Sequence, residues 1–351
     1  MDSEFSHVAD LPLTIDGVDI AQQERDTSSG FVRTTTTFVL SGAGETGRGE
    51  DVTYDTEDHD ALAEAWSEHA YDLAGEYTFA DFSARLADLD LFPTKEPERD
   101  TAHHYRRWGL ESAGLDLALR QAGESLGSVL GREYSPVRFV ASTRLGEPPS
   151  TERVETLLDR LPDTEFKLDP TSEWTPEVVE TLAATGAVRI LDIKGQYQGT
   201  EVDQEPDPEL YELVFEGFPD AVVEDPALVP ETEPIVEAHA DRLSWDLPIT
   251  GVASVESLPY PPRWLNIKPS RFGTVESLFD TLAYAAAHDI QLYGGGQFEL
   301  SVGRPQIQAL ASLFYPDGPN DVAPGAYNDP ELPEELPASP LDPDDPVGLG
   351  F

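Results

Sequence analysis

Short apolar runs recur through the second part of the chain, and helical patterns separate each run from the next. The runs cover residues 138–142, 165–169, 188–194, 221–224, 243–246, 264–268 and 290–293. Between them apolar side chains return at i, i+3 and i+4: Val154, Leu157 and Leu158; Val178 and Leu182; Val275, Leu278, Phe279 and Leu282; Ile307, Leu310 and Phe314. Buried parallel strands read as near-continuous apolar runs and need crossover helices, so this alternation predicts an α/β unit. Thr175-Pro176 and Asp207-Pro208 each set a capping side chain before a proline suited to the first helical turn. Seven strands with one helix apiece suit a closed barrel better than an open sheet.

The pattern differs before residue 100. Residues 30–41 (GFVRTTTTFVLS) are β-branched and alternating, which predicts a strand. Two amphipathic stretches follow, one through Leu62, Ala65 and Trp66 and one through Phe79, Phe82 and Leu86. We therefore expect an α+β domain over 1–100, a (β/α) barrel over 101–328, and an extended or disordered tail over 329–351, where DPELPEELPASPLDPDDP is rich in proline and acid.

Charge changes how each acid must be read. The chain holds 22 Lys and Arg against 68 Asp and Glu, a net charge of −46. Nucleic-acid backbones and anionic membranes are bound by cationic side chains, so both are excluded as partners. With 39% hydrophobic and 9% aromatic residues the chain can still bury a core. Acid spread over a foldable sequence poor in lysine fits a protein kept soluble in concentrated salt, and we expect a salt-adapted cytoplasm. Cysteine is absent, which removes disulfides and thiolate metal sites. The opening MDSEFSHVAD lacks an apolar core and no run is long enough to span a bilayer, so neither a signal peptide nor a membrane segment is expected. A homo-oligomer is compatible with all of this.

Candidate chemistry lies at the carboxyl ends of the strands, where parallel barrels build their sites. Those ends carry Lys167 and Asp169, Asp192 and Lys194, Glu224, Asp246, and Lys268. The chain has only four lysines, Lys95, Lys167, Lys194 and Lys268, and three of them stand at these ends. Asp192, Glu224 and Asp246 follow apolar runs, where a carboxylate must be paired or bound to metal. Three convergent carboxylates offer hard oxygens suited to Mg²⁺, with Mn²⁺ as the alternative; a salt-bridge network with the three lysines is the competing reading.

At these residues the chain resembles the muconate-lactonising branch of the enolase superfamily, the mandelate racemase/muconate lactonizing enzyme type. The strings are FKLDP around Lys167, LDIKG around Asp192, VEDP around Glu224, SWD at Asp246 and NIKPSRFG around Lys268, with GGGQFELSVGR and RWGLESAGLDLALRQAG flanking the barrel. The resemblance implies a modified (β/α)8 TIM-type barrel with an N-terminal α+β capping domain. It further implies Mg²⁺ held by Asp192, Glu224 and Asp246, a small carboxylate substrate, and proton removal beside that carboxylate by lysine, with Lys268, Lys167 and Lys194 as the candidates. The α-proton of a carboxylate is too weakly acidic for an unaided amine, so the ion would stabilise the enediolate. Asp169, Glu299 and Glu50 are expected to touch substrate.

Departures from the family pattern are specific. The second lysine of the family's Lys-x-Lys is Asp169, the usual Asn two residues after the first ligand is Lys194, and Leu247 follows Asp246 where an acid is common. Lys194 shares a strand face with Asp192 and either replaces the missing base or pairs with Asp169. The reading is a lyase or isomerase of cycloisomerase, dehydratase or epimerase type; the competitors are a catalytically degenerate barrel that binds a small anion without turnover and a metal-free Schiff-base barrel. Of two glycine strings, Gly42, Gly44 and Gly47 read as a hairpin rather than a dinucleotide loop, and Gly294–Gly296 as a tight turn or an anion contact.

Overall fold

The computed structural model describes residues 4–197, 204–344 and 346–351, so Met1 to Ser3 of the acidic opening stretch lie outside the described residues. The N-terminal part holds strands β1 (Pro12–Ile15), β2 (Gly17–Asp26), β3 (Val32–Gly42), β4 (Glu45–Asp51) and β5 (Gly75–Thr78). β2, β3 and β4 form an antiparallel meander, and β1 pairs with β5. The two amphipathic stretches are helices Thr56–His69 and Phe79–Ala87, the second capped by Thr78 Oγ1 accepting from Asp81 N.

The glycine string at residues 42–47 is a hairpin. Ala43 and Gly44 turn the chain between β3 and β4 with φ of 50° and 86°, a left-handed pair that matches the twist of adjoining strands. Gly47 serves another purpose. A Cβ there would lie 2.3 Å from Leu117 N and 2.4 Å from Ala113 O, so its absence lets β4 rest directly on helix Ala102–Ala122.

The second part is a parallel sheet of β6 (Val140–Thr143), β7 (Glu165–Leu168), β8 (Val188–Asp192), β9 (Val222–Glu224), β10 (Leu243–Trp245), β11 (Trp264–Ile267) and β12 (Gln291–Gly294). The strands pair in sequence order, each parallel to the next. Helices Glu152–Arg160, Pro176–Thr185, Pro208–Gly217, Glu233–Ala238, Val252–Glu256, Val275–Ala287 and Gly303–Phe314 separate or follow them. Thr175 and Asp207 cap two of these as the sequence predicts, each ahead of its proline.

An eighth strand is reduced to two residues. Val140 N donates to Asn320 O at 2.8 Å and Asp321 N donates to Gly294 O at 2.8 Å, so this pair bridges β6 to β12 and closes the sheet into a barrel.

Strand alternation decides what faces inward. Leu191, Val223, Leu243, Leu265 and Ile267 join the large core shared with the helices, whereas Val140, Ile190, Val222 and Tyr293 pack together as a separate plug inside the barrel. Two residues further along β8 and β9 the inward positions are Asp192 and Glu224, so the site forms the polar layer above that plug.

The tail is extended and docked. Leu341 pairs with Val137 by two backbone hydrogen bonds of 2.8 Å, Gly348 bridges to Ser125, and Leu349 is buried. Among the described residues no helix is long and apolar enough to cross a membrane.

Candidate functional site

Asp192 and Glu224 end neighbouring strands in direct register, and Ser244, two residues before Asp246, is the register partner of Glu224 on the other side. All three carboxylates are fully buried. From β7, Lys167 reaches across the barrel: its Nζ lies 2.5 Å from Glu224 Oε1, 3.3 Å from Asp192 Oδ2 and 3.7 Å from Asp321 Oδ2. Lys268 Nζ lies 2.8 Å from Asp246 Oδ2, and Arg271 Nε lies 3.2 Å from Asp246 Oδ1. Lys194 contacts Asp192 twice, through its backbone N to Oδ1 at 3.2 Å and through Nζ to Oδ2. Its Nζ is also 3.7 Å from Asp169, which Arg144 holds at 3.0 Å. The structure thus brings Lys167, Lys194, Lys268, Asp169, Asp192, Glu224 and Asp246 into one mouth.

Glu50 and Glu299 are engaged differently. Glu50 accepts the backbone N–H groups of Leu300, Ser301 and Gly303, and Glu299 pairs with Arg304 at 3.1 Å while accepting Gln297 N at 2.6 Å. These contacts tie the N-terminal sheet to the segment after β12. Of the glycine run, Gly294 N donates to Asn320 Oδ1 of the closing segment and Gly295 N to Ile267 O, which continues the pairing of β12 with β11.

Burial and charge crowding set the protonation states. Burial first, then repulsion from Asp192, Asp246 and Asp225, push the Glu224 carboxyl up to about 8 against the pull of Lys167. Asp225 rises to about 7 by burial and the same neighbours, although it accepts the backbone N–H groups of Asp246 and Leu247. For Asp192, burial is outweighed by Lys194 and Lys167, which hold it well below the usual carboxylate range; Arg271 and Lys268 do the same for Asp246. Burial favours neutral amines, but Glu224 and Asp192 keep Lys167 protonated, and Asp246 keeps Lys268 protonated.

Whether these residues suit a divalent ion can be judged atom by atom. Their chemistry does: three hard carboxylates on adjacent strands, with Asn266 Oδ1 buried and without a hydrogen-bond donor and Asp246 Oδ1 held only by the Arg271 ion pair. Their present engagement is with protein cations and hydroxyls. Glu224 Oε2 accepts Tyr293 OH and Asn266 Nδ2, and Asp246 Oδ2 accepts Tyr197 OH at 2.8 Å. Among the described residues no group of three or more acidic or histidine side chains stands ready to hold a metal as arranged. The donor set fits; the amines seated on it must yield for an ion to enter.

Family models describing the N-terminal and C-terminal domains of a domain of unknown function, DUF8230, match residues 6–129 and 133–329. The chain belongs to the DUF8230 family. No curated protein matches it. In three dimensions this DUF8230 chain is similar to muconate lactonizing enzyme from Pseudomonas putida, with TM-score 0.69 and 18% identity over 96% of each chain. Muconate cycloisomerase from Pseudomonas fluorescens gives TM-score 0.68 and 18% identity, covering 97% of this chain and 96% of that one. An enolase-superfamily member from Listeria innocua gives TM-score 0.67 and 18% identity, covering 97% and 91%. The DUF8230 fold is therefore that of the enolase superfamily, an α+β N-terminal region followed by the closed barrel.

Several DUF8230 residues in the mouth escape sequence reasoning. Asn266 and Tyr293 could have been found by alternation, since Asn266 precedes Lys268 by two on β11 and Tyr293 lies on β12. Arg271 comes from the single 3-10 turn Pro269–Phe272 and Tyr197 from a turn after β8, both too short to show a period; their Nη2 and OH groups are 3.2 Å apart. Tyr54, after β4, donates to Gln297 Oε1 at 2.6 Å, and Gln297 Nε2 donates to Tyr105 OH at 3.3 Å, which links the N-terminal part to the rim.

Proposed function

We propose that this DUF8230 chain is a Mg²⁺-dependent lyase or isomerase that removes the proton next to the carboxylate of a small substrate. The observation that carries the reading is the convergence of Asp192, Glu224 and Asp246, fully buried at the ends of three consecutive parallel strands, in the fold of muconate lactonizing enzymes. Those three residues would hold the ion, with Mn²⁺ as an alternative. When bound, the ion supplies Lewis-acid stabilisation of the enediolate.

The chain's own residues do the rest. Lys268, carried at the mouth by the end of β11, would become the base only once an ion takes Asp246 from it, because the Asp246 contact holds it protonated. Lys167, buried and locked to Glu224, supplies positive charge beside the substrate carboxylate, and Arg271 adds to it from the 3-10 turn after β11. Asp169 in place of the second lysine leaves the β7 side without a base, so one-base chemistry such as syn elimination or cycloisomerisation fits better than racemisation. Asp169, Glu299 and Glu50 keep a proposed role around the substrate, Glu50 and Glu299 by fixing the segment at residues 299–303.

The second reading, a barrel that binds a small anion without turnover, is favoured by one observation. Lys167, Lys194, Lys268 and Arg271 already neutralise the three carboxylates. Both readings are tested with a panel of carboxylates in D₂O containing high salt and Mg²⁺, following exchange of the α-hydrogen by NMR. Exchange by the wild-type protein that is lost in Lys268→Met and in Asp192→Asn supports the enzyme. Saturable ligand binding without exchange supports the second reading.

A further inference from the structure

Lys194 is the residue whose geometry the proposed reaction leaves unexplained. It engages both oxygens of Asp192, one with its backbone N–H and one with its ammonium. Its φ is 61°, a left-handed conformation uncommon outside glycine and asparagine. The backbone cannot readily leave that conformation. A Cβ on the next residue, Gly195, would lie 2.1 Å from Ala227 N, so the loop is pressed against the chain after β9. The side chain has more freedom, with four rotatable bonds to the ammonium. A second acceptor is within its reach: Asp169 Oδ2 lies 3.7 Å from Nζ, at the end of the adjacent strand β7. The Tyr197 ring, 5.2 Å from Nζ, lines the same space.

We propose that Lys194 is a tethered cation that occupies the metal's place on Asp192 when the ion is absent and swings to Asp169 when the ion binds. This rests on the metal reading above and deepens it. The consequences follow from competition. An ion must displace one ammonium from Asp192, so Lys194 weakens metal binding. Asp169 receives the displaced charge, so it strengthens metal binding even though it touches no metal. Arg144 keeps Asp169 oriented for that exchange.

The test is calorimetric titration of the full-length protein with Mg²⁺ and Mn²⁺ in high salt, with no substrate present. Lys194→Met and Lys194→Asn are expected to bind at least about tenfold more tightly than wild type, because a unit charge at contact distance has been removed. Asparagine tolerates the left-handed backbone, so Lys194→Asn keeps the comparison sound should Lys194→Met fold poorly. Asp169→Asn is expected to bind several-fold more weakly than wild type, and this loss should vanish in Lys194→Met/Asp169→Asn, since no ammonium then needs a second partner.

The outcomes separate the two claims. Asp192-dependent binding that is unchanged or weakened by both Lys194 variants overturns the tethered-cation proposal and leaves the metal site standing. A loss on Asp169→Asn that persists without Lys194 does the same. Binding in none of the proteins, Lys194→Asn included, overturns the proposal and the metal reading together.

Discussion

Glu50 Oε2 lies 2.8 Å from Gly303 N, so a carboxylate from the N-terminal sheet caps the first turn of the barrel's last helix. Glu50 Oε1 takes Leu300 N at 2.7 Å, and the two oxygens share Ser301 N. The sheet and the barrel rim are thereby joined at the segment that also carries Glu299. A carboxylate near a helix N-terminus satisfies amides that have no partner within the helix.

Replacing Glu50 by Gln leaves one acceptor oxygen and adds two donors facing these amides, which should cost about 1–3 kcal/mol of stability. Burial, assisted by Glu299, raises the pKa of Glu50 above its ordinary value. A raised carboxyl disfavours ionisation in the folded state, so the wild type loses stability as pH rises from the ordinary carboxylate range through the folded pKa. The deficit of Glu50→Gln is therefore expected to be largest in acid and to narrow towards neutrality. Thermal melts of both proteins across that range check this, and a deficit that widens with pH contradicts it.

The Arg106–Asp51 pair should behave in the opposite sense. Both side chains are buried at an Nε–Oδ2 distance of 2.9 Å, Arg106 also donates to Leu91 O and Asp58 O, and its guanidinium lies over the Phe92 ring at 3.8 Å. Burial would raise Asp51, but Arg106 and His59 outweigh it and lower its pKa. Its stabilising contribution is present above the ordinary carboxylate range and is lost as pH falls through the lowered pKa. Arg106→Ala strands a buried carboxylate and should cost about 3–5 kcal/mol. Removing Asp51 as well should recover part of that loss, and a double variant whose cost in urea unfolding equals the sum of the two single costs would show the pair to be uncoupled.

Much of this architecture was legible because buried parallel strands leave a strong mark. All seven apolar runs became strands β6 to β12, shifted by no more than a few residues at their ends. β2 left no such mark: GVDIAQQERD is exposed along most of both faces, so it has neither an apolar run nor clean alternation. The closing Asn320–Asp321 bridge is too short to have a period at all. At the site, the scarcity of lysine made Lys167, Lys194 and Lys268 visible, whereas Glu50 could be noticed but not placed. Its partners are backbone amides, and amides carry no sequence signature.

The acidic surface predicts a salt requirement. A net charge of −46 on 351 residues repels itself at low ionic strength, and salt shortens the reach of that repulsion from about 10 Å at 0.1 M to about 3 Å at 1 M. The melting temperature is expected to rise steeply with KCl over that interval. Buried pairs such as Arg106–Asp51 are shielded from bulk ions, so the cost of Arg106→Ala should change little across the same series. A melting temperature independent of KCl would refute the surface-repulsion account.

Gly44 and Gly47 belong to the same glycine string but should fail for different reasons. Gly44 has open space around its missing Cβ and only its φ of 86° resists substitution, so Gly44→Ala should cost about 1–2 kcal/mol. At Gly47 the new methyl would collide with Leu117 N at 2.3 Å and Ala113 O at 2.4 Å, backbone atoms that cannot rotate aside. Gly47→Ala must push β4 off helix Ala102–Ala122, and overpacking of this kind costs about 3 kcal/mol or more when backbone has to move. Because β4 also carries Glu50 and Asp51, that displacement should loosen the Gly303 cap and the Arg106 pair together. Amide hydrogen exchange then reads the difference: Gly47→Ala should deprotect Leu300 and Gly303 while Gly44→Ala leaves them protected, and equal protection in both would show that the sheet does not transmit its position to the barrel rim.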